Sequence, residues 1–188
     1  MPSALIVSAG EKGQAVLRDM LSASRFDRVT TVSNGSDARR ALISQGYELV
    51  VINTPLTDEF GHELAAHASA GGAGVIMLCK AEHAEQLGAA LEREGVFVMS
   101  KPLVRPLFMQ ALHLVEMTQA RMYELIVERD KLRRQLEDLR AVSRAKCLLI
   151  EQLGWTEEKA HRHIEKQAMD LRISKREVAE EILKTYSV

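Results

Sequence analysis

Two cysteines, four prolines and a single tryptophan are all that 188 residues hold of those types. Cys79 and Cys147 are too few for a disulfide framework and lack the close spacing of a metal-ligating pair, so no structural metal is expected. Aromatic residues make up 4% of the chain, which argues against stacking bases on a platform of aromatic rings. No apolar run reaches the length that crosses a bilayer. The opening Met-Pro-Ser-Ala-Leu-Ile-Val-Ser has no basic leader ahead of its apolar residues. A cytoplasmic protein without signal peptide or membrane partner is the expectation. A large charge of one sign is missing too: the net value is −1. Residues 1–115 carry 10 Lys+Arg against 12 Asp+Glu, and residues 116–188 carry 15 against 14. Any affinity for nucleic acid therefore has to come from locally clustered cations. What is present is a hydrophobic fraction of 46%, enough for a real core, in a length that suits one full domain plus a smaller module.

The first hundred residues alternate between two patterns. Ala4-Leu5-Ile6-Val7, Arg28-Val29-Thr30-Thr31-Val32, Leu49-Val50-Val51-Ile52, Val75-Ile76-Met77-Leu78 and Val96-Phe97-Val98-Met99 read as strands. Between them, helical spacing runs from about Glu11 to Ser22, from a cap at Ser36 through Ala41, Leu42 and Ile43 to Gly46, from His62 to Ser69, and from Ala84 to Arg93. Near-continuous apolar strands separated by helices predict an α/β flavodoxin-like domain over residues 1–105, a five-stranded parallel sheet covered on both faces. Its functional edge lies at the carboxyl ends of the strands.

With Gly61 in the loop after the third strand and Lys101-Pro102 after the fifth, this segment resembles the receiver domain of bacterial response regulators. The resemblance implies an acidic pair after the first strand to hold Mg²⁺, an Asp ending the third strand to accept phosphate, and a Thr or Ser after the fourth. Here those positions are Ser8 and Ala9, Asn53, and Cys79. Hard Mg²⁺ needs carboxylate oxygens, and an amide does not attack as a carboxylate does. Asn53 is then a degenerate phosphoacceptor position in a pseudo-receiver. Lys101 becomes a fixed hydrogen-bond donor, directed to Asn53, rather than a phosphate sensor. Glu11 and Asp58 are the nearby acids that could rescue a weak cation site. No catalytic constellation and no cofactor site stand out, and enzyme activity is not expected.

After Pro106 no Pro or Gly interrupts the chain until Gly154, which predicts one long helix from Leu107 to Leu153. A heptad register fits Ala111, Val115, Thr118, Met122, Leu125, Arg129, Leu132, Leu136, Leu139 and Ser143. A coiled coil over residues 106–143 that joins two copies of the chain accounts for this stripe better than a solvated helix packed on its own receiver. A lone helix polar elsewhere would leave Leu125, Leu132 and Leu139 in water. Arg129 interrupts the seam and is a candidate for fixing register.

The remaining residues, 144–188, read as a three-helix module. The long helix stops at Gly154, and Thr156 caps the next, with Glu157 and Glu158 in its first turn. That helix places Ala160, Ile164, Ala168 and Leu171 on one stripe and Lys159, Arg162 and Lys166 on another. Ser174-Lys175-Arg176-Glu177 is a capping box, and Val178, Ile182 and Leu183 follow on an apolar face. Trp155 or Tyr186 is expected at the border of the core. The succession Ala145-Lys146-x-x-Leu149, Gly154-x-Thr156-Glu157-x-x-Ala160, Ala168-Met169 resembles the ANTAR domain, a small helical module that binds RNA hairpins in transcription antitermination.

That resemblance implies an RNA partner, hairpins in a nascent leader transcript, and gives Lys146 and His161 roles beyond a solvated surface. His161 stands where the family usually has Tyr or Phe and can still stack on a base or donate a hydrogen bond. Lys159, Arg162, Lys166 and Arg172 are the further RNA-binding candidates. Ala145, Gly154, Ala160, Ala168 and Met169 match the motif as packing residues. His161 and His163 lack the companions of a metal site. A sensor protein that masks the module is a candidate regulatory partner. A DNA-binding response regulator remains as a second reading, though no helix-turn-helix with a basic recognition helix is evident. A scaffold acting through coiled coil and pseudo-receiver remains as a third.

Overall fold

In the computed structural model, which describes residues 2–22 and 24–186, the sheet follows from the five apolar runs. The strands are β1 (Ser3–Ser8), β2 (Arg28–Val32), β3 (Leu49–Asn53), β4 (Gly74–Lys80) and β5 (Val96–Lys101), all parallel, in the order β2-β1-β3-β4-β5. The helices between them are α1 (Glu11–Leu21), α2 (Gly35–Ser44), α3 (His62–Ala70) and α4 (Ala81–Leu91). A long α5 (Arg105–Leu153), α6 (Glu157–Leu171) and α7 (Lys175–Tyr186) complete the chain. Among the described residues no helix is long and apolar enough to cross a membrane.

The chain divides into two compact units, Met1–Met122 and Tyr123–Val188. In the first, strand residues alternate between two cores as the two-residue period demands. Leu5, Val7, Val50, Ile52, Val75 and Met77 meet α2, α3 and α4. Ala4, Ile6, Val51, Ile76 and Leu78 meet Leu17 and Leu21 of α1 and Phe108 and Leu112 of α5. Phe108 is fully buried; a side chain of that size contributes about 1.5–3 kcal/mol by leaving water. This packing corrects the predicted seam. Ala111 is buried and Val115 packs against the same core, so the first two heptad positions serve the receiver-like unit. Met122, Leu125, Leu132, Leu136 and Leu139 are exposed in the single chain, at 48–68%. Arg129 is exposed and hydrogen-bonds Asp130 at 2.8 and 3.0 Å.

The caps follow local sequence with one exception. Thr156 accepts from the Lys159 amide at 3.3 Å. Ser174 and Glu177 close the reciprocal capping box, Glu177 accepting from the Ser174 amide at 2.7 Å and Ser174 from the Glu177 amide at 3.1 Å. Gly154 ends α5 at φ +64°, and its amide bonds the Ile150 carbonyl at 3.0 Å. The exception is α2, capped by Asn34 rather than Ser36: the Asn34 side chain accepts from the Asp37 amide at 2.7 Å. Ser36 lies in the first turn because Asp58 claims its amide and hydroxyl, each at 3.0 Å.

The second unit is built on Ala145, Leu149, Ala160, Ile164, Ala168, Val178, Ala179 and Ile182, with Trp155, Leu183 and Tyr186 at its border. Leu171, expected on the buried stripe, is exposed. The chain turns left-handed at Arg172, and Ile173 packs on the core in its place.

Candidate functional site

Two places gather the residues singled out by sequence. The first is the carboxyl edge of the sheet, where strand order reverses between β1 and β3 and Ser8 stands in register with Asn53. The Asn53 amide donates to the Ser8 hydroxyl at 2.9 Å. Gln14 donates to the Ser8 carbonyl at 2.8 Å. Gly13 lets α1 lie directly over this pair: a Cβ there would stand 2.6 Å from Ser8 Oγ and 2.7 Å from Asn53 Nδ2.

Lys101 does not reach Asn53 as expected. Its ammonium donates to the Thr54 carbonyl. The Thr54 amide and hydroxyl both donate to Leu78 O, each at 2.9 Å. Burial pulls the Lys101 pKa down, and burial pushes the Cys79 thiol up. Asp58 is committed elsewhere. Its carboxylate accepts from the Gly35 amide at 2.8 Å as well as from Ser36, and the Gly35 bond above all holds its pKa below the usual carboxylate range. Neighbouring Glu59 is held by both arms of Arg39, at 2.7 and 2.8 Å. Glu11 is exposed in the first turn of α1. Among the described residues no three His, Cys, Asp or Glu side chains gather as a metal site.

The second place is the exposed side of the three-helix unit. Lys146, half-buried near the end of α5, pairs with Glu157 at the start of α6 at 2.6 Å. Glu157 is lowered in pKa first by that hydrogen bond, then by the Lys146 and His161 charges. His161 stands 3.3 Å from Glu165, which also binds Lys175 of α7. Lys146, Glu157, His161, Glu165 and Lys175 thus form a row of polar side chains that crosses all three helices, with an ion pair at each end. Arg162 pairs with Glu158 one turn before it. Lys159 sits 4.6 Å from the centre of the Trp155 ring, whose edge contacts His163 at 5.0 Å. Lys166 and Arg172 are exposed and make no ion pair among the described residues.

Two features here escaped the sequence. Met169, a motif residue expected to pack, is 78% exposed, while Ala145, Ala160 and Ala168 are buried. Arg172 holds φ +55°, the left-handed position of a Schellman turn in which Ile173 N bonds Ala168 O at 3.1 Å and Arg172 N bonds Met169 O at 3.3 Å. The pairings of Arg162 with Glu158 and of His161 with Glu165 were legible as four-residue spacings on one helix. The Lys146–Glu157 and Lys175–Glu165 pairs join different helices and carried no such signal.

Compared with known proteins, residues 130–183 match the ANTAR domain family. The first unit shares its fold with solved receiver domains. The signal receiver domain of an HD domain-containing protein from Pseudomonas fluorescens Pf-5 is 23% identical with TM-score 0.57, covering 65% of this chain and 92% of that one. A response regulator receiver domain from Methylobacillus flagellatus is 22% identical with TM-score 0.53, covering 61% and 98%. A structure described as adenylate cyclase from Rhodopirellula baltica is 19% identical with TM-score 0.58, covering 70% and 96%. The comparison with curated proteins returns no match.

Proposed function

From a chain that carries an ANTAR domain behind a receiver-like fold, both of them regulatory modules, we propose an RNA-binding transcription antiterminator. It binds hairpins in nascent leader transcripts through residues 144–188 and so keeps a terminator hairpin from forming. The observation that carries this reading is the ANTAR match over residues 130–183, on a folded unit whose motif residue Lys146 lies in a row of polar side chains across three helices. Lys146, Lys159, His161, Arg162, Lys166 and Arg172 supply the contacts. Phosphate contacts give most of the affinity, and loop bases give the specificity. Lys146 and Arg162 are already matched by carboxylates, so binding there exchanges internal ion pairs for phosphates, while Lys159, Lys166 and Arg172 make no ion pair among the described residues. Moderate affinity per module with marked salt dependence follows.

Residues 1–105 act as a pseudo-receiver that is not phosphorylated; the Ser8–Asn53 hydrogen bond in place of an acidic pocket supports this. Residues 106–143 pair two chains as a coiled coil, supported by the exposed stripe from Met122 to Leu139. The dimer offers one module to each of two hairpins and gains affinity by tethering. A sensor protein that captures the monomer would oppose RNA binding. The protein acts in the cytoplasm, where the transcript is made.

A gel-shift titration against a tandem-hairpin leader RNA, with matched duplex DNA as control and at two salt concentrations, tests this. Binding to RNA that weakens with salt and is lost in Lys146→Ala is the expected result. Equal binding to DNA would favour a DNA-binding regulator, and no binding by a dimeric protein would favour a scaffold.

A further inference from the structure

The carboxyl edge of the sheet is neutral where a cation site would need acids, and it is cationic beside that point. Ser8, Ala9 and Asn53 carry no charge, and Asp58 and Glu59 are consumed by α2 and Arg39. Lys101 approaches from the end of β5 and Lys12 from the first turn of α1. The Lys101 ammonium has one neutral acceptor, the Thr54 carbonyl, and donors to spare. Lys101 makes no ion pair with a carboxylate among the described residues, and nearby Lys80 adds a like charge. Beside it opens a cavity of about 350 Å³, lined by Lys12, Asn53 and Lys101 and by the apolar side chains of Val16, Leu78 and Leu103. Its inner end is closed by α1 lying over the Ser8–Asn53 pair through Gly13.

A partly buried ammonium without a counter-ion, set in an apolar wall, is a poor arrangement in isolation and a good one for an anion with a hydrocarbon body. We propose that this cavity binds a small apolar carboxylate, its anionic end on Lys101 and Lys12 and its body against Val16, Leu78 and Leu103. The size suits the lower end of small-molecule sites, which run from roughly 300 to 1,000 Å³. A bare phosphate is a worse fit. Its strongly hydrated oxygens would face an apolar wall, and the lining holds two lysine point charges without the forked donors of an arginine. The site belongs to the first unit and is independent of whether the second binds RNA.

The test titrates the full-length protein, isotopically labelled and followed by NMR, with benzoate and with butyrate. Benzyl alcohol serves as the neutral control and inorganic phosphate as the apolar-free anion. The expected result is saturable binding of a carboxylate with shifts centred on Val16, Leu78, Lys101 and Leu103. Benzyl alcohol and phosphate should each bind about tenfold more weakly or worse. Lys101→Met should weaken carboxylate binding by about tenfold or more. Val16→Asp, which places a like charge at an exposed position in the cavity mouth, should do the same while leaving the unfolding temperature near that of the parent. Val16→Asp keeps the test decisive if the lysine variant proves unstable. The proposal is overturned if neither carboxylate saturates, if benzyl alcohol or phosphate binds as well, or if the shifts fall instead on the exposed stripe of α5. Binding that survives in folded variants overturns it equally.

Discussion

Arg172 occupies a backbone conformation that disfavours every residue with a Cβ, and glycine would satisfy the same turn without strain. On the proposed reading, the arginine is kept there for its exposed charge. Arg172→Gly should therefore raise stability by up to about 1 kcal/mol while weakening RNA binding. Unchanged RNA affinity in a stabilised variant would remove Arg172 from the interface. Lys146 is tied to Glu157 in the free module, and the bond keeps the Glu157 carboxyl below its ordinary pKa. A depressed carboxyl contributes stability that is present above its unfolded pKa, about 4.3. That stability is lost as pH falls through the lower folded value. Glu165 and Glu177 are lowered as well, by Lys175 and by the Ser174 amide, so the three act in the same direction. In Lys146→Met the Glu157 titration, read by NMR, should move back up toward the ordinary range. The acid sensitivity of the module should diminish. RNA affinity should fall about tenfold with loss of one charge-assisted contact.

At the scale of elements, α5 serves three masters along its length. Phe108, Ala111 and Leu112 belong to the sheet's core, the apolar stripe from Met122 to Leu139 is exposed, and Ala145 and Leu149 belong to the last core. On the proposed reading, a second copy of the chain covers the middle segment. Leu132→Asp, at a position that touches neither core, should convert a dimer to a monomer in sedimentation equilibrium with little effect on the folding of either unit. A variant that stays dimeric would place the dimer contact elsewhere. The exposed stripe is shorter than the heptad pattern indicated. Ala111 and Val115 continue its spacing, but the sheet reaches them first.

On the scale of the whole molecule, the first unit shares the receiver fold and carries Ser8, Ala9 and Asn53 at its sheet edge. Restoring one acid there should not suffice for phosphorylation, since Ser8 and Ala9 still offer no carboxylate for Mg²⁺. Asn53→Asp treated with acetyl phosphate and Mg²⁺ should show no added phosphoryl mass by intact-protein mass spectrometry. Phosphorylation of that single variant would mean that the neighbouring acids rearrange to supply a metal site, Asp58 leaving the α2 cap to do so.

What the sequence by itself determined is what neighbouring residues decide among themselves. Short apolar and β-branched runs set the five strands, and three- and four-residue spacing set the helices. The breaks at Gly154, Thr156 and Ser174 were readable because each cap is a hydrogen bond made within a few residues. The motif from Ala145 to Met169 was legible for the same reason. What only the tertiary structure decided involves partners distant in sequence. Asp58 reaches across 22 residues to Ser36, and so the α2 cap falls to Asn34. Lys101 bypasses Asn53 for the carbonyl of Thr54, 47 residues away in sequence. Lys146 finds Glu157 because two helices meet at a corner, and Leu171 loses its place in the core because the chain turns at Arg172. Periodicity says which face of a helix is apolar. It does not say what stands opposite that face, because that depends on how the elements pack.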